Sequence, residues 1–213
     1  MRARALGLIG LMGGVGGAIN AWWCYAKFPV PSDVFSGQFT WHIVPAGAAH
    51  GALLALVGVG LAARLSKKPL WMRWVGVPVS GIICGWIPYI PISLYVSSVK
   101  LWSGDIAGLS REDILRALWP FRLELETLWT LFQAFGLAGS VFVLLAAACG
   151  LLKSRRLLTH VLIGAVSGCA GSFWWWLAFK PWYFSVLHGA IWGSLVGYGV
   201  WKSQQQLQHS SSY

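Results

Sequence analysis

Few side chains in this chain have the chemistry to do more than pack. Asn20, His50, Gln133 and His188 are the polar groups left inside long apolar stretches, none of which carries Asp, Glu, Lys or Arg in its central part. Carboxylate proton relays and hydrolytic centres depend on buried ionisable groups, so neither is expected, and the chain is read as non-catalytic. Imidazole stays versatile, because the neutral ring can ligate a metal or hydrogen-bond through either nitrogen. His50 and His188 each open a His-Gly-Ala triplet, at 50–52 and 188–190. Facing one another, they would suit the iron of a b-type haem or the magnesium of a chlorin. The plainer use is a hydrogen bond to a neighbouring helix, or the border of an aqueous cavity. Trp86 lies deep in its stretch, and three consecutive tryptophans at 174–176 point about 100° apart around a helix, so at least one turns inward. His50, His188, Asn20, Trp86 and Trp175 are therefore the candidate lining of a small-molecule site. Cys24, Cys84, Cys149 and Cys169 show no C-x-x-C spacing and read as small apolar packing residues, with no metal site expected.

Six apolar stretches must position these groups, near 5–26, 41–63, 74–97, 127–152, 158–179 and 182–201. Each approaches the roughly 20 helical residues that cross a hydrocarbon core of about 30 Å. The expected fold is thus all-α, a polytopic bundle of six transmembrane helices in one domain over 1–202. Charge orients it. Arg2, Arg4, Arg64, Lys67, Lys68, Arg73, Lys153, Arg155, Arg156 and Lys202 fall in the N-terminus, the second and fourth connections and the C-terminus, with no acid among them. All six Asp and Glu lie on the other side, where six cations balance them, so the whole net charge of +10 belongs to one face. Lys and Arg in short loops stay in the cytoplasm during insertion. Both termini are accordingly expected in the cytoplasm, with the chain in the cell's inner (plasma) membrane. A nucleic-acid partner is not expected, because the cations form no basic stripe or recognition module; anionic lipid headgroups suffice. Ten of the fifteen tryptophans lie near the outer ends, where indole suits the headgroup layer.

Glycine supplies the packing. Of 26 glycines, many recur four apart: Gly10/Gly14, Gly13/Gly17, Gly47/Gly51, Gly81/Gly85, Gly164/Gly168 and Gly189/Gly193/Gly197. In lipid, small residues at this spacing allow close backbone contact. They predict tight helix crossings, or association with other membrane subunits or with further copies of the chain. The pattern also hints at duplicated helical hairpins. Leu8-Ile9-Gly10 aligns with Leu162-Ile163-Gly164 at an offset of 154 (164 − 10), and the His-Gly-Ala triplets align in the helices that follow. Pro78, Pro88 and Pro91 make the third stretch irregular. Residues 98–126 form the one sizeable outer segment, with a capping-box start at Ser110 and a short amphipathic helix ending at Pro120. Residues 203–213 read as a polar disordered tail.

Two family resemblances follow from these residues. Gly136-Leu137-Ala138-Gly139 in the fourth stretch, with His50 in the second and His188 in the sixth, is similar in layout to rhomboid intramembrane proteases, which carry Gly-x-Ser-Gly and a histidine there. Ala138 occupies the nucleophile position and no Asn follows His50 by four residues, so peptidase activity is not implied. Six spans in about 200 residues with cytoplasmic termini also resemble, in size and topology, the substrate-binding components of energy-coupling-factor vitamin transporters. That resemblance implies an aromatic-lined cavity open to the outside beneath a loop. The sequence therefore points first to small-molecule transport or binding, and alternatively to an accessory subunit of a larger membrane complex that could bind haem or pigment.

Overall fold

The structure, a computed structural model, describes residues 3–27, 40–69, 71–72, 75–76, 83, 141–143, 145–146, 154–178 and 182–209. Four long helices organise them: α1 (Ala3–Lys27), α2 (Thr40–Leu65), α3 (Leu157–Ala178) and α4 (Trp182–His209). No strand occurs among the described residues, so the all-α class holds. These helices match the first, second, fifth and sixth apolar stretches to within a few residues, except at the end of α4. The stretches at 74–97 and 127–152 and the outer segment 98–126 lie outside the described residues, apart from short helical pieces such as 141–143.

Two of the helices contain a segment long and apolar enough to cross a membrane, Arg4–Trp23 in α1 and Gly47–Leu65 in α2. Leu157–Ser172 is equally apolar in character but shorter. In α4 the apolar run is diluted by Ser194, Tyr198, Ser203 and the glutamines at 204–206. By length and composition the described residues thus provide two of the six expected spans.

The tail expected to be disordered from Ser203 is instead helical as far as His209. Tertiary contacts explain the difference. Ser203 is buried with its Oγ 3.0 Å from the Ala5 carbonyl of α1 and 2.7 Å from the Gly199 carbonyl, so its one proton is shared between two acceptors. One residue on, Gln204 meets His160 of α3. A polar composition that cannot fold alone is held here by two neighbouring helices.

The helices pack antiparallel, glycine against backbone. A Cβ placed on Gly17 would strike the Gly47 carbonyl oxygen and lie 2.9 Å from the Gly51 Cα, and one on Gly51 would lie 2.8 Å from the Gly17 Cα. Across α3 and α4, a Cβ on Gly168 would strike the Gly189 oxygen and lie 3.1 Å from the Gly193 Cα, while one on Gly164 would strike the Gly193 oxygen and lie 3.2 Å from the Gly197 Cα. Only hydrogen fits in these places, which explains why the spacing of four is kept. α4 then lies against α1, where Gly16 receives Trp192 and Gly199 sits over Ile9 and Met12. Ile9, Ala55, Val59, Phe142, Trp192 and Val196 close the apolar core between them.

The two hairpins repeat one another's contacts residue for residue. Gly13 and Gly17 correspond to Gly164 and Gly168, an offset of 151 (164 − 13, 168 − 17), and Gly47 and Gly51 correspond to Gly189 and Gly193, an offset of 142 (189 − 47, 193 − 51). In that register Leu11-Met12-Gly13-Gly14-Val15 lies on Leu162-Ile163-Gly164-Ala165-Val166. The alignment expected from sequence, at 154 with His50 on His188, is therefore out by three residues in the first helix and by one turn in the second. A slip of three or four keeps small residues on the same helix face, so glycine spacing alone does not fix the register. In the contact register His50 corresponds to Trp192, and His188 to Ala46.

Substitutions should report this geometry directly. Gly17→Ala and Gly193→Ala are each expected to lower stability by about 1–3 kcal/mol through overpacking. Gly7 and Gly60 have nothing within 4 Å of an added Cβ, and Gly7→Ala and Gly60→Ala should be neutral or stabilising by up to ~1 kcal/mol. Reversible unfolding in mixed detergent micelles measures both sets.

Candidate functional site

α1 is the helix that meets both α2 and α4, and its register sets the height of each polar group. Gly17 lies opposite Gly47 and Gly51 on α2, while Asn20 lies opposite His188 and Gly16 opposite Trp192 on α4. His188 is thus level with Asn20, and His50 is level with Gly16 and Trp192. Four residues of helix separate these levels, about 6 Å at 1.5 Å per residue. The two histidines therefore stand at different levels, and the repeat does not make them equivalent, because its register is the other one.

Asn20 is the most constrained of the expected site residues. Its Nδ2 donates to the His188 carbonyl oxygen at 3.1 Å, a bond between residues 168 apart in sequence. That bond fixes the amide, and it leaves Oδ1 buried with no hydrogen-bond partner among the described residues. An unmatched buried acceptor costs about 1–3 kcal/mol unless something donates to it. His50 and His188 are both partly buried. Trp86 and Gln133 fall outside the described residues, as does the side chain of Trp175, whose backbone belongs to α3. Among the described residues no three His, Cys, Asp or Glu side chains gather to hold a metal ion. Cys169 is a free thiol, 3.5 Å from the Val186 carbonyl across the α3/α4 contact, in keeping with a packing role.

Trp192 was not among the expected site residues. Its indole, 7% exposed, reaches from α4 to α2 and donates Nε1–H to the Gly51 carbonyl at 3.3 Å. The ring meets Phe142 edge-on, with centroids 5.0 Å apart, and rests on α1 at Gly16. One side chain therefore ties three helices and the 141–143 piece together beside His50. Its face differs from that of the glycine run, which meets α3, so the glycine spacing did not point to it.

A second polar cluster lies at the opposite end, where α3 begins. His160 there is fully buried. Its Nδ1 lies 2.9 Å from the Arg156 carbonyl and its Nε2 3.1 Å from Gln204 Oε1. The carbonyl can only accept, so Nδ1 carries the proton. A neutral ring then accepts at Nε2 from the Gln204 amide turned over, whereas a cationic ring donates to Oε1. Either way the bond joins α3 to the end of α4. Gln204 continues the series Gly193, Gly197, Val200 at helical spacings of four, three and four, which is how it could have been found. Ser167, also fully buried on α3, has an Oγ without a partner among the described residues.

No known protein family, curated protein or solved structure matches the chain. The site must therefore be read from its own geometry: a fixed amide with one open acceptor, two histidines a turn apart, and a buried indole bonded to the Gly51 carbonyl. Such a set can orient an apolar or aromatic molecule through one hydrogen bond. It holds no nucleophile paired with a base.

Replacing Trp192 separates its two roles. Trp192→Phe removes the Nε1 donor and part of the ring volume and should cost roughly 1–3 kcal/mol, while Trp192→Ala empties the core and should cost roughly 3–5 kcal/mol. Denaturant midpoints for the two variants test the partition.

Proposed function

We propose that this chain is a multi-pass protein of the cell's inner (plasma) membrane, with both termini in the cytoplasm, that binds a small molecule for transport at the junction of α1, α2 and α4. The membrane reading is supported by the surface the helices leave uncovered. Only 28% of each crossing segment in α1 and α2 is buried within the fold, whereas the core helix of a soluble protein is mostly covered. Leu11, Val15, Ile19 and Trp22 on α1 and Leu158, Leu162 and Val166 on α3 stand exposed, which is costly in water and favourable in lipid. At the end of α4, Lys202 Nζ lies 5.9 Å from the Trp201 ring centroid, a cation and indole paired as at a headgroup layer.

The binding reading rests on one observation, the buried Oδ1 of Asn20. With Nδ2 held by the His188 carbonyl, the ligand that satisfies it carries an N–H or O–H donor on an otherwise apolar or aromatic body. The second reading, an accessory subunit of a larger complex, is favoured by the exposed stripes on α1 and α3. Association through the glycine faces is not: among the described residues Gly13, Gly17, Gly47, Gly51, Gly164, Gly168, Gly189 and Gly193 are occupied by contacts inside the chain.

Extraction in mild detergent followed by mass spectrometry of what stays bound tests the function. A metabolite retained by the wild type and lost at least tenfold in Asn20→Leu, with thermal stability unchanged or raised, supports binding at this junction. Retention unaffected by Asn20→Leu removes the site, and stoichiometric partner proteins without a metabolite replace transport with the subunit reading. For topology, a cysteine introduced after His209 should react with a thiol reagent only once the cytoplasmic face is opened; labelling from outside reverses the orientation.

A further inference from the structure

We infer that the exposed face of α3, and the equivalent face of α1, are built to seat an anionic phospholipid, phosphate at an arginine and acyl chain along the helix. The inference rests on the membrane reading above and not on the small-molecule site. Antiparallel packing brings the starts of α1 and α3 and the ends of α2 and α4 to one end of the bundle. Arg4, Arg64, Lys67, Arg155, Arg156 and Lys202 are all exposed there. No Asp or Glu occurs among the described residues, so no carboxylate among them offsets these cations. Charge alone would attract any polyanion. The apolar surface continuous with it selects a lipid.

Arg155 lies two residues before α3 begins, and Leu158, Leu162 and Val166, four residues apart along the helix, are 68%, 54% and 57% exposed. These are helical spacings of one face. The contact register of the two hairpins, at 151, places Arg4 on Arg155, Gly7 on Leu158, Leu11 on Leu162 and Val15 on Val166. Gly7 is exposed, with nothing within 4 Å of an added Cβ, and Leu11 and Val15 are 58% and 40% exposed. The same arginine-headed stripe therefore occurs twice, on helices whose buried faces differ in detail. From Leu158 to Val166 is eight residues, about 12 Å of helix, and Arg155, just ahead of the helix, extends the stripe toward half of a hydrocarbon core of about 30 Å. An arginine at the phosphate and a stripe one leaflet long fit a phospholipid in the leaflet at the cationic end. A free phosphate would use only the arginine, and a basic surface for nucleic acid would not continue into Leu158 and Leu162.

The full chain reconstituted in discs of phosphatidylcholine with a minor fraction of phosphatidylglycerol provides the test, read as the ratio of the two lipids retained after release into detergent. The wild type should hold phosphatidylglycerol in several-fold excess over its share of the disc. A cation near an anionic lipid is worth about a fivefold change in partition, so Arg4→Gln with Arg155→Gln should bring the ratio near that of the disc, while Arg155→Lys with Arg4→Lys should keep it. Lys67→Gln, off the stripe, should change it little. Because neutralised variants could insert poorly, the wild type is also measured at low and high salt, and the excess should fall with salt. Equal retention of the two lipids by the wild type overturns the inference, as does an equal loss in Lys67→Gln, which indicates diffuse attraction without a seat. Self-association through the stripes with no lipid excess overturns it as well. Failure of the wild type to enter discs of either composition overturns the membrane reading and this inference with it.

Discussion

Everything in this bundle depends on how closely two helix backbones can approach. At Gly17 against Gly47 and Gly51, and at Gly168 against Gly189 and Gly193, there is room for a hydrogen and nothing larger. That proximity replaces the interlocking side chains of a water-soluble core, and it explains why the helices carry small residues on their contact faces and large apolar ones outside. With the hairpins drawn so tight, the space between them is left to a few shaped groups. Trp192 fills it on one level, and Asn20 and the His188 carbonyl meet one turn away. The polar residues are few because the close contact leaves few places for them.

How much of this was legible in the sequence follows from which signals are local. Helix positions were, because apolar length is a property of a stretch: α1, α2 and α3 begin and end within three residues of the expected spans. Glycine partners were legible in kind, since the expected pairs within the described residues sit on contact faces, Gly81/Gly85 lying outside them. Register was not. Gly10, Gly13, Gly14 and Gly17 offer near-equivalent ways to align the helix, and only backbone contact distinguishes an offset of 151 from 154. The same ambiguity misplaced the histidines as an equivalent pair. Asn20 could be singled out as a polar group in an apolar stretch, but its partner, a carbonyl 168 residues away, has no side-chain signature at all. The end of α4 was misread for a related reason: its order comes from His160 and Ala5, far off in sequence.

The duplicated packing has a structural asymmetry that matters for the site. From the first helix of each hairpin to the second, the contact-to-contact path is 30 residues in one case (47 − 17) and 21 in the other (189 − 168), nine fewer. The hairpins share their crossing but differ in the chain that joins their far ends. Their polar content also diverges at equivalent places, where His50 stands against Trp192 and Ala46 against His188. A shared scaffold thus carries different groups on its two halves, and the unsatisfied amide of Asn20, which corresponds to Gly171, belongs to one half alone.

The separation of charge from the helix interior sets how the bundle responds to voltage. Across an energised membrane, moving one elementary charge through the full field is worth about 2.3 kcal/mol per 100 mV. In the four described helices the lysines and arginines are confined to the first or last turns and the flanking residues, apart from Lys202 seven residues before the end of α4, and there are no carboxylates. Sliding or tilting α1 and α2 against α3 and α4 would carry no lysine, arginine or carboxylate through the middle of that field. Rearrangements of these four helices would therefore do little electrical work on their own charged side chains.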